Sequence, residues 1–251
     1  MEGFIFVGGY QNYQSNLEIM RVVISGASRG IGKAVAFRFA EAGCSLVLCA
    51  RDAGKLEQVR SELLARFPAL SVAVIAGDLT VRADADRVAA VCLEQGPPDV
   101  LINNAGSYEP GTCVEADDLI LNRMMAVNLQ TAWNLTKALL PSMRAQQKGH
   151  IFNLCSIASL RAYENGGCYS VSKFALYGFT QNLRLELQPH GIKVTAVLPG
   201  AVYTDSWGDF DNSTGRIMLP EDIAAMIYAT TQLSPQAVVD QLIVRPQLGD
   251  L

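Results

Sequence analysis

With 251 residues, half of them hydrophobic, the chain has the material for one large core, and one domain is expected. Its net charge of −4 comes with no basic cluster, which argues against the run of phosphate contacts that a nucleic-acid partner needs. Cys44, Cys49, Cys92, Cys113, Cys155 and Cys168 form no CxxC pair and only His150 and His190 accompany them, so neither a metal site nor a disulfide framework is indicated.

Thiols lying mostly in apolar strands and helices read as reduced core residues of a cytoplasmic chain. Apolar runs such as Val72–Ala76 have strand length, far short of a membrane span. Residues 1–20 carry only the short apolar run Phe4–Val7 and lack the basic start of a signal peptide. They read as an N-terminal extension, with two alternatives open: a stretch that is not native, or an extra edge strand. Deleting residues 1–19 is expected to leave activity and melting temperature nearly unchanged.

From Arg21 onward, short β-branched runs alternate with segments of helical period, the pattern of a parallel sheet covered on both faces. A strand over 21–25 leads to a helix over 30–42, stopped at Gly43, and a strand over 45–49 leads to a helix over 53–66 with Asp52 as N-cap. A strand over 71–76, a helix over 83–95 and a strand over 100–103 precede a long helix over 117–146, which Pro141 should kink or shorten. A strand over 149–155, a helix over 169–189 stopped at Gly191, a strand over 193–198, a helix over 220–232 and a strand over 238–243 complete the series. No repeat or linker divides it, so residues 21–251 read as a single α/β domain, a doubly wound parallel sheet of about seven strands with helices on both faces.

The first strand runs into Ser25-Gly26-Ala27-Ser28-Arg29-Gly30-Ile31-Gly32. Glycines there let the backbone curl and approach a pyrophosphate seated on the positive end of the next helix. Gly-rich turns are common, and the weight of this one comes from its place at the head of a βαβ unit. Asn103-Asn104-Ala105-Gly106 after the fourth strand is, alone, as readily a polar turn as a cofactor contact, and Asp78-Leu79-Thr80 is a weaker signal still. Tyr169-Ser170-Val171-Ser172-Lys173 sets a phenol and an ammonium four residues apart on one helix face, most often a plain surface pair. Ser156, thirteen residues upstream at the carboxyl edge of the fifth strand, stands where ligands bind in such sheets.

Together, Gly26, Gly30 and Gly32, the Asn103–Gly106 turn, Asn128, Ser156, Tyr169, Lys173 and Pro199-Gly200 followed by Thr204 stand in the order and spacing of one family. From residue 21 to about 205 the chain resembles the short-chain dehydrogenase/reductase family. The tail Val238–Leu251 lacks the glycine-rich ending common in the family's acyl-carrier-protein reductases, so the resemblance leaves the substrate open. It implies a Rossmann-type fold and hydride transfer between a nicotinamide cofactor and a small carbonyl or alcohol substrate. It makes Tyr169 the general acid and base and sets Ser156 on the substrate oxygen. Asn128, in the pattern Ala126-Val127-Asn128-Leu129, would hold a water relaying protons to Lys173, although alone it reads as an Asn bonded to nearby backbone. Lys173 would grip the nicotinamide ribose and Thr204 the carboxamide. The implied cofactor contacts are Gly26, Ser28, Arg29, Gly30, Ile31, Gly32, Arg51, Asp78, Leu79, Asn104, Ala105, Gly106, Tyr169, Lys173, Pro199, Gly200, Val202 and Thr204.

A free phenol titrates near 10, and a lysine charge about 4 Å away could lower it by up to about three units before burial pushes back. The second strand ends Leu48-Cys49-Ala50-Arg51-Asp52, where an NAD-selecting chain usually carries an acid. Arg51, with Arg29 opposite, points to NADP(H); NAD(H) stays open if Asp52 is the selecting acid rather than a helix cap. The resemblance implies a homotetramer built on helices 117–146 and 169–189, with a dimer as runner-up. Tyr108, Leu160, Tyr163 and Trp207 suggest a partly aromatic pocket, and residues 205–219, with Trp207 and Phe210, a mobile lid. Two rival readings are a non-catalytic NAD(P)-binding sensor, which would not require Ser156, Tyr169 and Lys173 together, and a lyase or epimerase relative, usually longer.

Overall fold

The computed structural model of the chain describes residues 19–250, so the N-terminal extension lies outside the described residues apart from Ile19 and Met20. Seven parallel strands form one sheet: β1 (Arg21–Ser25), β2 (Ser45–Ala50), β3 (Val72–Ala76), β4 (Val100–Asn103), β5 (Gly149–Leu154), β6 (Ile192–Pro199) and β7 (Gln241–Val244). Their spatial order is β3-β2-β1-β4-β5-β6-β7. The apolar runs take this role because successive side chains point to opposite faces and both faces are covered. Along β1, Val22 and Ile24 enter one core and Val23 the other; along β2, Leu46 and Leu48 part from Val47 and Cys49 in the same way.

The first core is closed by α1 (Gly30–Glu41), α2 (Ala53–Arg66) and α7 (Pro220–Thr231), the second by α3 (Arg82–Glu94), α5 (Thr131–Gln146) and α6 (Gly167–Leu187). Each buried Phe, Leu or Val there stabilises by about 1.5–3 kcal/mol, so Phe39, wholly buried, is a main anchor of α1 beside the glycine turn. Helix starts follow local chemistry. Asp52 caps α2 by accepting from Lys55 N at 3.0 Å, and Asp117 caps α4 (Asp118–Met125) through Ile120 N at 2.8 Å. The start of α1 has neither a side-chain cap nor an acid in its first turn.

Three elements differ from expectation. The helix expected over 117–146 is α4, a π-helical turn at Ala126–Gln130 and α5, and Pro141, on an exposed position, neither ends nor shortens α5. The departure from α geometry falls instead around Asn128, as such turns often do at sites of function. Helix α6 starts two residues early, at Gly167, so Tyr169 sits within its first turn. Strand β7 starts at Gln241, because the Thr195 hydroxyl takes the Val239 carbonyl and the ladder to β6 opens with Ala196 opposite Gln241.

Among the described residues no helix is long and apolar enough to cross a membrane, and no His, Cys, Asp or Glu group gathers that could hold a metal ion. Five cysteines are buried as expected; Cys113 is exposed, since it lies on the irregular stretch between β4 and α4 rather than inside an element.

Candidate active site

β1 and β4 are neighbours where the strand order reverses, so a crevice opens at their carboxyl ends. Two turns line it and are stitched together. Ser25 Oγ accepts from Asn104 N and Ala105 N, both at 3.0 Å, while Asn104 Nδ2 donates to the Ser25 and Gly26 carbonyls at 3.1 and 3.0 Å. Gly26 has φ +64°, and a Cβ on Gly32 would lie 2.3 Å from the Gly26 oxygen and 2.5 Å from Asn104 Nδ2. Only glycine permits that approach. Asn104 is thus committed to joining the two turns, and Ser25, which sequence reasoning passed over, is the hub between them; its place directly before the glycine turn was the available signal.

Gly30 meets the turn after β6, where a Cβ would stand 3.2 Å from Thr204 Cγ2. Beside the glycine turn a cleft of about 260 Å³ is lined by Ser28, Arg29, Gly30, Lys33, Lys55, Gln58, Val59 and Asp205. Lys33 pairs with Glu62 at 2.7 Å and Arg29 with Asp205 at 3.2 Å. An uncapped helix start beside three cations fits a phosphorylated nucleotide. Arg51 stands exposed just past β2 and does not line this cleft. Lys55 and Gln58, spaced by three on α2 and so on one helix face, line it instead, and neither drew notice in the sequence. A second groove, about 630 Å³, runs along α1 and α7; Gly30 and Thr204 border it, but Ser156, Tyr169 and Lys173 do not.

Other expected contacts fall around the same rim. Asp78 turns into its own loop, accepting from Thr80 N at 3.0 Å and Thr80 Oγ1 at 2.8 Å, and the Leu79 carbonyl is held by Asn134 Nδ2 at 2.9 Å. Ile31 packs on the first core. Pro199 ends β6, Gly200 N donates to the Val244 carbonyl at 2.8 Å, and Val202 bridges to Met218. The stretch 205–219, expected as a lid, is therefore tethered: Asp205 by Arg29, Met218 by Val202, and Arg216 to the Gly249 carbonyl at 3.0 Å.

At the end of β5, Ser156 begins a 3₁₀ turn, Ile157–Ser159, that is stapled to α6. Ser159 Oγ donates to the Lys173 carbonyl and Ser170 Oγ to the Ala158 carbonyl, each at 2.9 Å. Those two serines set Ser156 against Tyr169, and sequence reasoning missed them because a serine inside a helix carries no distinctive signal. Burial pushes the Tyr169 phenol up to about 12, although the nearby Ser156 hydroxyl pulls the other way. Lys173 Nζ donates to the Leu154 carbonyl at 2.6 Å and lies 5.8 Å from the Tyr169 ring centre. Burial brings this ammonium down to about 8. The net lowering of the phenol expected from the sequence is not found: burial of the phenol outweighs the partners that favour its charge, and the Lys173 ammonium donates to the Leu154 carbonyl.

Asn128, wholly buried in the π turn, accepts from Ser107 N at 2.9 Å and donates to the Ser107 carbonyl at 3.0 Å and to Ser172 Oγ at 2.9 Å. A Cβ on Gly106 would lie 2.9 Å from Asn128 Oδ1 and 3.6 Å from Lys173 Nζ, so Gly106, Asn128 and Lys173 converge on one point. Of the four residues expected in the pocket, Tyr108 meets Tyr169 edge-on at 5.0 Å, and Tyr163 reaches Tyr108. Trp207 instead packs on Phe210 of its own segment, at 5.2 Å, and Leu160 stands exposed after the Ser156 turn.

Comparison with known proteins gives the same answer from three directions. The family model described as short chain dehydrogenase matches residues 20–214. Sepiapterin reductase of Chlorobaculum tepidum is 34% identical over 239 residues, 92% of this chain and 97% of that protein. The alcohol dehydrogenase of the archaeon Thermococcus sibiricus, complexed with 5-hydroxy-NADP, superposes with a TM-score of 0.86 at 27% identity, over 93% of this chain and 99% of that one. L-Sorbose reductase of Gluconobacter frateurii, complexed with NADPH and L-sorbose, does so with a TM-score of 0.82 at 27% identity, over 91% and 95%. With the doubly wound sheet, the stitched glycine turn and the Ser156, Tyr169 and Lys173 cluster at one edge, the chain belongs to the short-chain dehydrogenase family of oxidoreductases.

Proposed function

We propose that this oxidoreductase reduces a small carbonyl compound with NADPH in a cytoplasmic setting, Tyr169 supplying the proton. The observation that carries the reading is geometric: at the carboxyl end of β5 the turn begun by Ser156 is stapled to α6 through Ser159 and Ser170, which sets it beside Tyr169 and the buried Lys173. The bound cofactor supplies the hydride. Ser156, held by the stapled turn, offers a hydroxyl to the substrate oxygen and stabilises the charge growing there. Tyr169 releases its proton to that oxygen. Lys173 carries the positive charge that steadies the resulting phenolate and holds the cofactor ribose, and a water between Asn128 and Lys173 returns the proton. Thr204 and the turns around Gly26–Gly32, Asp78–Leu79, Asn104–Gly106 and Pro199–Val202 hold the rest of the cofactor.

The preference for NADPH over NADH rests on Arg29 and Arg51, aided by Lys55, with Asp52 occupied as the α2 cap. Both solved relatives named above hold an NADP-type cofactor, which supports it. A charge-assisted contact to the 2′-phosphate is worth about 1.5–3 kcal/mol, so kcat/KM is expected to favour NADPH by tenfold to several hundredfold. The ratio should shrink in Arg51→Ala. Equal or better use of NADH by the wild type, or an undiminished ratio in the variant, would overturn the preference.

The assembly proposed is a homotetramer, with a dimer as the alternative. Helices α4, α5 and α6 leave Leu119, Trp133, Val171, Phe174 and Leu185 exposed, an apolar face that a second copy would cover. A light-scattering mass of one chain at micromolar concentration would refute it.

A further inference from the structure

We propose that the substrate carries a flat aromatic ring beside its reacting carbonyl, and that Tyr108 and Tyr163 select it. The proposal rests on the reading of Tyr169 as proton donor and concerns what lies around it. Two tyrosines from separate loops approach that phenol, and each keeps its side chain partly in the open, with 44% of Tyr108 and 42% of Tyr163 exposed. A large apolar ring left open to water next to a reacting group is a surface waiting for a partner.

Both rings are held in place before any ligand arrives. Tyr108 stands between two anchored neighbours. Ser107 is clamped through its N–H and carbonyl by Asn128 at 2.9 and 3.0 Å, and Glu109 takes a two-pronged grip from Arg123 at 2.7 and 3.0 Å. The ring then meets Tyr169 edge-on, with centres 5.0 Å apart and planes at 89°. Tyr163 opens a tight turn closed by Gly166 N donating to its carbonyl at 3.1 Å, with Asn165 at φ +57°. Its ring lies against Gly166, where a Cβ would come within 2.8 Å of Tyr163 Cε1. A side chain at Gly166 would press on this ring where it lies, and the glycine leaves it room.

Tyr163 stands close to Tyr108, whose nearness adds to the burial that pushes the Tyr163 phenol up. The partly open rings present carbon surface beside Tyr169. Aromatic rings favour edge-to-face or offset packing with centres about 4.5–7 Å apart, so a substrate ring can extend the series that Tyr108 and Tyr169 begin. Fixed rings lose little freedom when they bind, which turns contact area into selectivity.

The test uses two 1,2-diketones that differ only in a phenyl or a cyclohexyl substituent, each assayed with NADPH and the full chain. kcat/KM is expected to favour the phenyl compound by about tenfold, chiefly through KM. Tyr108→Leu and Tyr163→Leu, which keep bulk and lose the ring, should each bring the ratio toward one, while Tyr108→Phe keeps it. Equal kcat/KM for the two diketones in the wild type, or a ratio that survives both Leu variants, overturns the inference and leaves the Tyr169 reading standing. If neither diketone is turned over, calorimetry decides: tighter binding of the phenyl compound, lost in the Leu variants, supports the inference and removes the proposed reduction. Indistinguishable binding of the two compounds overturns the inference.

Discussion

In Tyr169→Phe, turnover with NADPH is expected to fall at least about a hundredfold, the lower end for losing a general acid, with the fold unchanged. The substitution removes one oxygen and keeps the ring that packs edge-on against Tyr108, so the cost to stability should stay within about 1 kcal/mol. What disappears is the phenolic proton beside Ser156. Burial pushes the phenol up to about 12, so it stands as a proton donor in the cofactor-free protein. A correctly folded variant, by circular dichroism and melting temperature, with near-wild-type turnover would remove Tyr169 from the chemistry.

Much of this site can be read from residue order because the sheet itself does the gathering. Parallel strands deliver every carboxyl end to one edge, so a motif that follows a strand, whether Gly26–Gly32, Asn103–Gly106 or Ser156, is placed by its strand alone. Strand and helix positions were legible for the same reason, through β-branched runs set between amphipathic segments. What the sequence hid is contact between residues far apart in the chain. Ser25 as hub, Ser159 and Ser170 as staples, and Lys55 and Gln58 as cleft lining have no local pattern that separates them from ordinary polar residues. The π turn was invisible too, since Ala126–Gln130 has the composition of continuous helix and its register is set by Asn128 reaching Ser107 and Ser172. The behaviour of Lys173 was hidden most completely, because a spacing of four residues places its charge near Tyr169 without saying that Leu154 will hold it.

Lys173 leads to the second large effect: Lys173→Met should abolish turnover while stabilising the cofactor-free protein at neutral pH. The ammonium is buried and its pKa is brought down to about 8, against 10.5 for the free group. A group whose folded-state pKa is depressed in this way binds a proton more weakly folded than unfolded, so burying its charge opposes folding at every pH below about 8. At about 1.4 kcal/mol per pK unit, the drop from 10.5 to about 8 corresponds to a penalty on the order of 3 kcal/mol. Methionine removes that penalty but leaves the Leu154 carbonyl without its donor, a loss of about 1 kcal/mol or somewhat more. The net gain at pH 7 is therefore about 1–2 kcal/mol, and each kcal/mol should raise the melting temperature of a chain this size by about 2–4 °C. The pH dependence carries the distinguishing sign. Between about pH 8 and 10.5 the folded wild type has released its proton while the unfolded chain still holds one, so wild-type stability rises relative to the variant and the gap closes. Unfolding of both proteins without cofactor, followed from pH 7 to 10.5, measures this directly. A variant less stable than wild type at pH 7, or a gap that does not move with pH, would mean that the ammonium is not buried as described. In the wild type the same penalty should be offset when an anionic cofactor binds beside Lys173, which is the physical reason a chain would keep so unfavourable a charge at this position.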